Sequence, residues 1–372
     1  MNIMHGFPKI VFEFGAVKSL PEELEALGIK RPLIITDKGL VEHGVLDFVR
    51  NALDGRNDFA LFDDIPENPT IAGVVAALEV YNANDCDGIV ALGGGSVLDS
   101  GKALRVAATH DGPIIDYLLD ASKITKNVAP YITVPTTAGT GAEITFGGGI
   151  HPDTNAHSLG IRSVHVKPDT AICDPELTLT LPPLLTAATG MDALGHAIEG
   201  FLSNQFNPPV EAIALDAIWR VAAFIERAVA DGNDIEARSE MQMAALEGGM
   251  AIYMGLGPMH ALANAFGDSP LHHGTLVTVS APAVMRFYEN HLDEKLTLIH
   301  AAMGLDDGMD IATGIEALNE RIGMPASVRE MGYDGSDLDT LTQVTIDSHF
   351  NAAAPVLPSD EEYRKIVEEI LG

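Results

Sequence analysis

The sequence predicts an α/β domain built on a parallel sheet, followed by an all-helical domain, with the boundary near residue 180. Three observations carry this. In the first half, the β-type runs RPLIITD (31–37), DGIVALGGG (87–95) and PYITVPTT (130–137) alternate with helical patterns such as TIAGVVAALEVYNAND and SVLDSGKALRVAATH. Each run ends in glycine, aspartate or threonine, residues that make tight strand-to-helix turns. After DPELTLTLPP (174–183) the texture changes to long helical periodicity (DGNDIEARSEMQMAALEGGMAIYMG, NHLDEKLTLIHAAMG, DIATGIEALNERIG) without a convincing strand. Residues 1–180 are therefore expected to form the α/β domain and residues 181–372 the helical one.

At 372 residues and 47% hydrophobic, the chain is long enough for two medium domains with buried cores. Its formal charge of -31 argues against nucleic acid and anionic membrane as partners, since both need a basic footprint. MNIMHGFPKIVFEFG has no basic segment leading into an apolar run, and no stretch approaches the roughly 18 apolar residues of a membrane span. The expectation is a cytoplasmic protein. Two cysteines, Cys86 and Cys173, lie far apart in apolar surroundings, which excludes a disulfide framework and a cysteine zinc cluster. Any metal must be held by histidine and carboxylate.

The βαβ alternation places a ligand crevice at the carboxyl ends of the strands. GGGSVLDSGKA (93–103) follows one strand and opens a helix, so its glycines let backbone approach a phosphate at the helix N-terminus. It is not GxGxxG, and a bare glycine run is also what a plain turn looks like. VPTTAGTGAE (134–143), after the next strand, is equally equivocal alone. Two such loops after successive parallel strands converge on one crevice and raise a dinucleotide site above a pair of ordinary turns.

In the helical half, GMDALGHAIEG (190–200) sets Asp192 and His196 one turn apart on one face of an otherwise apolar helix. His260 lies in MGLGPMHALANAFGD, and His272 and His273 in LHHGT. A single histidine on an apolar helix is usually a core residue with a partner. One carboxylate and three imidazoles brought together suit a divalent transition metal such as Fe(II) or Zn(II), and hardly suit Ca or Mg.

GGGSVLD, VPTTAGTGAE, DPELTLTLP, TAATGMDALGHAIEG, GLGPMHALANAFG and HHGT stand in the order found in iron-containing (group III) alcohol dehydrogenases, which the chain resembles from about residue 9 to its end. The wording of FGAVKSL, RPLIITDKG, FNPPVEAIALD and LHHGT is most similar to the 4-hydroxybutyrate dehydrogenase branch. The resemblance implies the dehydroquinate synthase-like fold of that family: an N-terminal dinucleotide-binding domain and a helical metal-binding domain, assembled as a homo-oligomer, most simply a dimer. It implies a metal on Asp192, His196, His260 and His273, with Fe(II) before Zn(II). It implies NAD on Gly94, Gly95, Ser96 and Asp99 at the pyrophosphate loop, on Thr136, Thr137 and Thr140, and on Asp37 and Asn68 near the adenosine ribose. An acid at Asp37 accepts from a ribose 2′-OH and repels a 2′-phosphate, which favours NAD over NADP; its plain reading is a residue that ends a strand.

The reaction so implied is reversible hydride transfer between NAD(H) and a short primary alcohol or aldehyde, with 4-hydroxybutyrate and succinic semialdehyde as the pair the branch points to. His272 is the candidate proton relay. Three positions depart from the family pattern: Asn264, where a histidine is usual, Ser158, where a lysine is common, and NAAAPVLP, where an Asn-Pro precedes a basic residue. Such losses also fit a family member that binds NAD with little or no turnover.

Overall fold

The computed structural model describes residues 4–54, 56, 58–153, 156–335 and 337–372. The chain divides into two compact units, one of His5–Thr137 with Ala142–Thr180 and one of Ala138–Gly141 with Leu181–Gly372.

In the first unit the strands are β1 (Lys9–Phe12), β2 (Pro32–Ile35), β3 (Ala60–Phe62), β4 (Gly88–Gly93), β5 (Tyr131–Pro135) and β8 (Thr170–Cys173), paired parallel in the order β1-β8-β5-β4-β2-β3. Helices α1 (Leu20–Ala26), α2 (Lys38–Glu42), α3 (Leu46–Ala52), α4 (Ile71–Ala83), α5 (Gly95–Ala107) and α6 (Ile115–Leu119) connect them. The central strands are buried at every position and almost wholly apolar, Thr133 excepted, because both faces are covered. Leu33, Ile35, Ile89, Ala91 and Tyr131 enter one core with Val74 and Ala77 of α4 and Leu98 and Leu104 of α5. Their alternating neighbours Ile34, Val90, Leu92, Ile132 and Val134 enter the opposite core with Leu20 and Leu24 of α1 and Leu46 and Val49 of α3.

From β2 the chain moves outward to β3, whereas from β4 it moves the other way to β5. The adjacent carboxyl ends of β2 and β4 are thus a topological switch point, where connections diverge and leave a crevice. An antiparallel hairpin of β6 (Gly147–Ile150) and β7 (Leu159–Arg162), read as no strand in the sequence, is anchored on α5. Asp99 accepts from the Gly149 amide at 3.0 Å, and Lys102, itself fully buried, donates to the Gly147 carbonyl at 2.6 Å. A β-carbon on Gly148 would lie 2.5 Å from the Asp99 carboxyl, so this approach requires glycine.

The second unit is helical: α7 (Pro183–Leu202), α8 (Pro208–Ala230), α9 (Ile235–Ala251), α10 (Pro258–Ala265), α11 (His273–Glu289), α12 (Glu294–Met303), α13 (Ile311–Arg321), α14 (Leu338–Ile346) and α15 (Asp360–Leu371). Helix α7 is buried continuously from Thr186 to Leu202 and is packed by α8, α9 and α11. Its glycines admit those neighbours: a β-carbon at Gly190 would meet Met241 and Ile225, at Gly195 Val277, and at Gly200 the Ala251 carbonyl, all below 3.0 Å. The loop Ala138–Gly141 belongs to this unit, with Gly141 in the left-handed region and its Cα side against Gly249. Among the described residues no helix is long and apolar enough to cross a membrane. Cys86 and Cys173 are both buried free thiols.

Candidate metal and nucleotide sites

Helix α7 presents Asp192, His196 and Glu199 at i, i+4 and i+7, one face of the helix, all buried. Helix α10 brings His260 and the start of α11 brings His273 to the same face. Asp192 Oδ1 lies 3.5 Å from His260 Nε2, 3.7 Å from His196 Nε2 and 3.9 Å from His273 Nε2. The ligand atoms of Asp192, His260 and His273 all fall within 4.8 Å of one another. His196 stands outside that group of three, its ring stacked on that of His260 with centroids 4.6 Å apart.

Two of these atoms, Asp192 Oδ1 and His260 Nε2, are buried without a hydrogen-bond partner. Leaving a buried acceptor and a buried imidazole nitrogen unpaired costs about 1–3 kcal/mol each, so a fold that keeps both needs something to occupy the space between them. The carboxylate and imidazole donors fit a divalent transition metal, and no cysteine competes.

Electrostatics separate the imidazoles. Burial alone raises the Asp192 carboxyl, but His196, His260 and His273 outweigh it and hold it well below the usual carboxylate range. Burial pulls His196 down to about 4, and Asp192 offsets this only in part. For His260 burial also acts downward, yet Glu199 and Asp192 prevail and raise it to about 9.

Glu199 went unread in the sequence, although it stands inside GMDALGHAIEG. Its Oε2 accepts from His260 Nδ1 at 2.6 Å and its Oε1 from the Met259 amide at 2.6 Å. The signal was there: a carboxylate seven residues after Asp192 falls on the ligand face of the same helix.

The nucleotide candidates of the α/β unit lie at or after the carboxyl ends of β2, β3, β4 and β5. Gly94 is the N-cap of α5 and Gly95 its first residue, so the amides there have no capping side chain. A β-carbon at Gly93 would lie 2.6 Å from Val97, and one at Gly94 3.2 Å from Thr137. The Thr136 amide donates to the Gly93 carbonyl at 3.1 Å, which sets the second loop beside the first. Ser96 donates through Oγ to the Glu67 carbonyl, beside the half-buried Asn68. Asp37 caps α2, its Oδ1 accepting from the Leu40 amide at 2.9 Å. Asp99 sits behind the loop with both oxygens engaged, by Lys102 and Gly149. Thr140 lies in the segment that belongs to the helical unit.

Two family models match the chain: one for iron-containing alcohol dehydrogenase over residues 8–175, and one for the C-terminal part of the Fe-containing alcohol dehydrogenase family over residues 186–371. The chain belongs to the iron-containing alcohol dehydrogenase family. It is 41% identical over 382 aligned positions to a 4-hydroxybutyrate dehydrogenase of Cupriavidus necator, covering 99% of this chain and all of that protein. Among solved structures it is similar to a 1,3-propanediol oxidoreductase, with a TM-score of 0.93, 31% identity and full coverage of both chains. It is also similar to a sulfoacetaldehyde reductase from Bifidobacterium kashiwanohense in complex with NAD+, with a TM-score of 0.91 and 28% identity over 100% of this chain and 99% of that one. The α/β unit is the dinucleotide-binding region of this fold and the helical unit its metal-binding region, and the enzyme is a metal-dependent, NAD(H)-linked oxidoreductase.

Several members of the family pattern differ here. His272, the candidate proton relay, is half-buried and caps α11, its Nδ1 accepting from the Thr275 amide at 3.4 Å; His273 is the more exposed of the pair. Asn264 is half-buried one turn after His260, and its carbonyl accepts from the Gly267 amide. Ser158 packs against Gly149 in the hairpin. Arg162, exposed at the end of β7, lies over the Phe146 ring at 5.2 Å.

Proposed function

We propose that the enzyme interconverts 4-hydroxybutyrate and succinic semialdehyde with NAD(H), using Asp192, His196, His260 and His273 as ligands of one Fe(II) or Zn(II). The observation that carries the metal assignment is the unpaired Asp192 Oδ1, ringed by three imidazoles at 3.5–3.9 Å. The substrate assignment rests on the full-length likeness to the Cupriavidus necator 4-hydroxybutyrate dehydrogenase.

When bound, the metal supplies Lewis acidity toward an alcohol or carbonyl oxygen. The chain's own residues do the rest. NAD, when bound, would supply the acceptor for the carbinol hydride, and the hydroxyl proton would pass to His272, whose lone pair is on Nδ1, the nitrogen that accepts from the Thr275 amide in capping α11. Gly94, Gly95 and Ser96 receive the pyrophosphate at the α5 N-terminus, Thr136, Thr137 and Thr140 follow the cofactor toward the nicotinamide, and Asn68 with Asp37 meets the ribose. Asp99 acts at one remove, by holding the β6–β7 hairpin. The same reading includes a homodimer, supported by the edge position of β1, whose outer backbone groups invite pairing; light scattering on the purified protein tests it.

A carboxylate substrate needs a cation to offset its desolvation, and Arg162 is our candidate. The test compares kcat/KM for succinic semialdehyde and butanal in wild type and Arg162→Ala, with the metal content of each preparation measured. We expect the semialdehyde to be preferred at least tenfold and the preference to fall in Arg162→Ala. A preference for butanal in wild type would overturn the substrate reading, and full metal content in both His260→Ala and His273→Ala would overturn the ligand set.

A further inference from the structure

We infer that Glu199 is the positioning residue of the metal site: through its two oxygens it fixes which nitrogen of His260 faces Asp192 and locks the helix that carries His260 to the helix that carries Asp192 and His196. The inference rests on the metal reading above and deepens it.

A carboxylate accepts hydrogen bonds, so the 2.6 Å contact between Glu199 Oε2 and His260 Nδ1 puts the proton on Nδ1. Nε2 is then left as the atom turned to Asp192 Oδ1 at 3.5 Å, and it is this Nε2 that is buried without a hydrogen-bond partner. A ligating histidine whose other nitrogen donates to a carboxylate is held in one tautomer and one ring orientation, and its donor strength rises.

The second oxygen does a separate job. Helix α10 starts at Pro258 with Gly257 as N-cap, and no side chain of its own caps it. Its first-turn donors need partners, and Glu199 Oε1 accepts from Met259 at 2.6 Å. The cap therefore comes from α7, the helix bearing Asp192 and His196, so one side chain sets both the position of α10 and the rotation of the ring it carries. Gly257 leaves room for this: a β-carbon there would lie 3.0 Å from Glu199 Oε1.

Glutamine cannot replace this residue. It offers one acceptor oxygen where two donors converge, so either the Met259 amide or His260 Nδ1 would face an NH2 group. The experiment uses the full-length chain stripped of metal and titrated with Zn(II), and with Co(II) for its visible bands. We expect Glu199→Gln to lower Zn(II) affinity about 10–100-fold and to shift the Co(II) bands. In a His260→Ala background, adding Glu199→Gln should cost nothing further, because its effect passes through that ring. In Zn(II)-loaded wild type, 15N NMR should show His260 protonated at Nδ1, a measurement that stands even if the variant does not fold. Wild-type affinity and bands in Glu199→Gln, additive losses in the double variant, or a proton on Nε2 would each overturn the inference. Failure of wild type to retain either metal would instead overturn the metal reading on which it rests.

Discussion

His260 titrates far from its neighbour His196, and this has a measurable consequence. Burial lowers His260 but Glu199 and Asp192 raise it to about 9, from an ordinary value of 6.5. A group raised on folding contributes stability that is present below 6.5 and lost as pH rises through 9. A metal needs the Nε2 lone pair, so loading must expel that proton; His196, depressed to about 4, is already neutral and releases none. Zn(II) binding at pH 7.5 should therefore release about one proton per chain from His260, and affinity should climb with pH up to about 9. Calorimetric titration in two buffers of different ionisation enthalpy counts the proton, and a count near zero contradicts this. At the nucleotide loop, Asp37 uses Oδ1 to cap α2, which does not conflict with a ribose contact through the same carboxylate. Asp37→Gly should shift the NAD/NADP ratio of kcat/KM toward NADP by on the order of tenfold, equivalent to about 1–2 kcal/mol for one hydrogen bond lost and one repulsion removed. An unchanged ratio would leave Asp37 as a helix cap only. Asp192, His196 and His260 stood out as candidates because ligand chemistry narrows residue type, whereas His273 was separated from His272 only by the family resemblance; the fold brings Asp192, His260 and His273 within 4.8 Å of one another. Glu199 was passed over, because a glutamate on a helix is ordinarily a solvated residue; its place seven residues after Asp192 was the sequence signal, and its burial against His260 gives that spacing its meaning.

At the scale of elements, the legible strands were those buried on both faces. PLII, GIVALG and YITVP form the middle of the sheet, and these short β-type runs, apolar but for Thr133 and bounded by turn residues, read as buried strands. Strands β1 and β3, at the sheet edges, and the short β8 carry weaker patterns of three or four residues. β6 reads GGGI, which by composition is a turn; it is a strand because Asp99 and Lys102 of α5 hold its backbone, a tertiary cause that no local pattern encodes. The long helices were legible from periodicity, but the glycines of α5 and α7 look like helix faults until their neighbours are known. Gly101, inside α5, illustrates this. Alanine there should gain up to about 1 kcal/mol of helix propensity. Its β-carbon would lie 2.4 Å from the Tyr131 hydroxyl, which donates to the Leu98 carbonyl at 2.6 Å in the core, and overpacking of this kind costs about 1–3 kcal/mol before any hydrogen bond is lost. The clash wins, and Gly101→Ala should lower the thermal midpoint; a rise would mean that Tyr131 moves aside freely.

The whole molecule carries 53 acidic and 22 basic side chains, and the structure shows how the imbalance is accommodated. Cations are shared: Arg220 meets Asp216, Glu240 and Glu247, Arg227 meets Asp234 and Glu236, and Arg286 meets Glu316 and Glu369. The exposed pairs made by Arg227 and Arg286 contribute little individually, about 0–1 kcal/mol, so they do not balance the repulsion among the remaining acids. Glu247 is a separate case, a part-buried acid that burial pushes up to about 8, with Arg220 pulling down and Asp216 pushing further up. Repulsion spread over a surface of net charge -31 opposes compaction, and mobile ions screen it. The Debye length falls from about 30 Å at 0.01 M to about 8 Å at 0.15 M, so most of the relief should come at low added salt. The metal-loaded protein should thus gain thermal stability steeply between about 0.01 and 0.2 M KCl and more slowly above, with a total rise of roughly 5 °C or more. NaCl should act equally, because screening depends on ionic strength and not on the identity of the cation. Differential scanning calorimetry in both salts at constant pH decides it. A midpoint insensitive to KCl would mean that the acids are too far apart to repel, and a response to one cation alone would point to specific ion binding in place of screening.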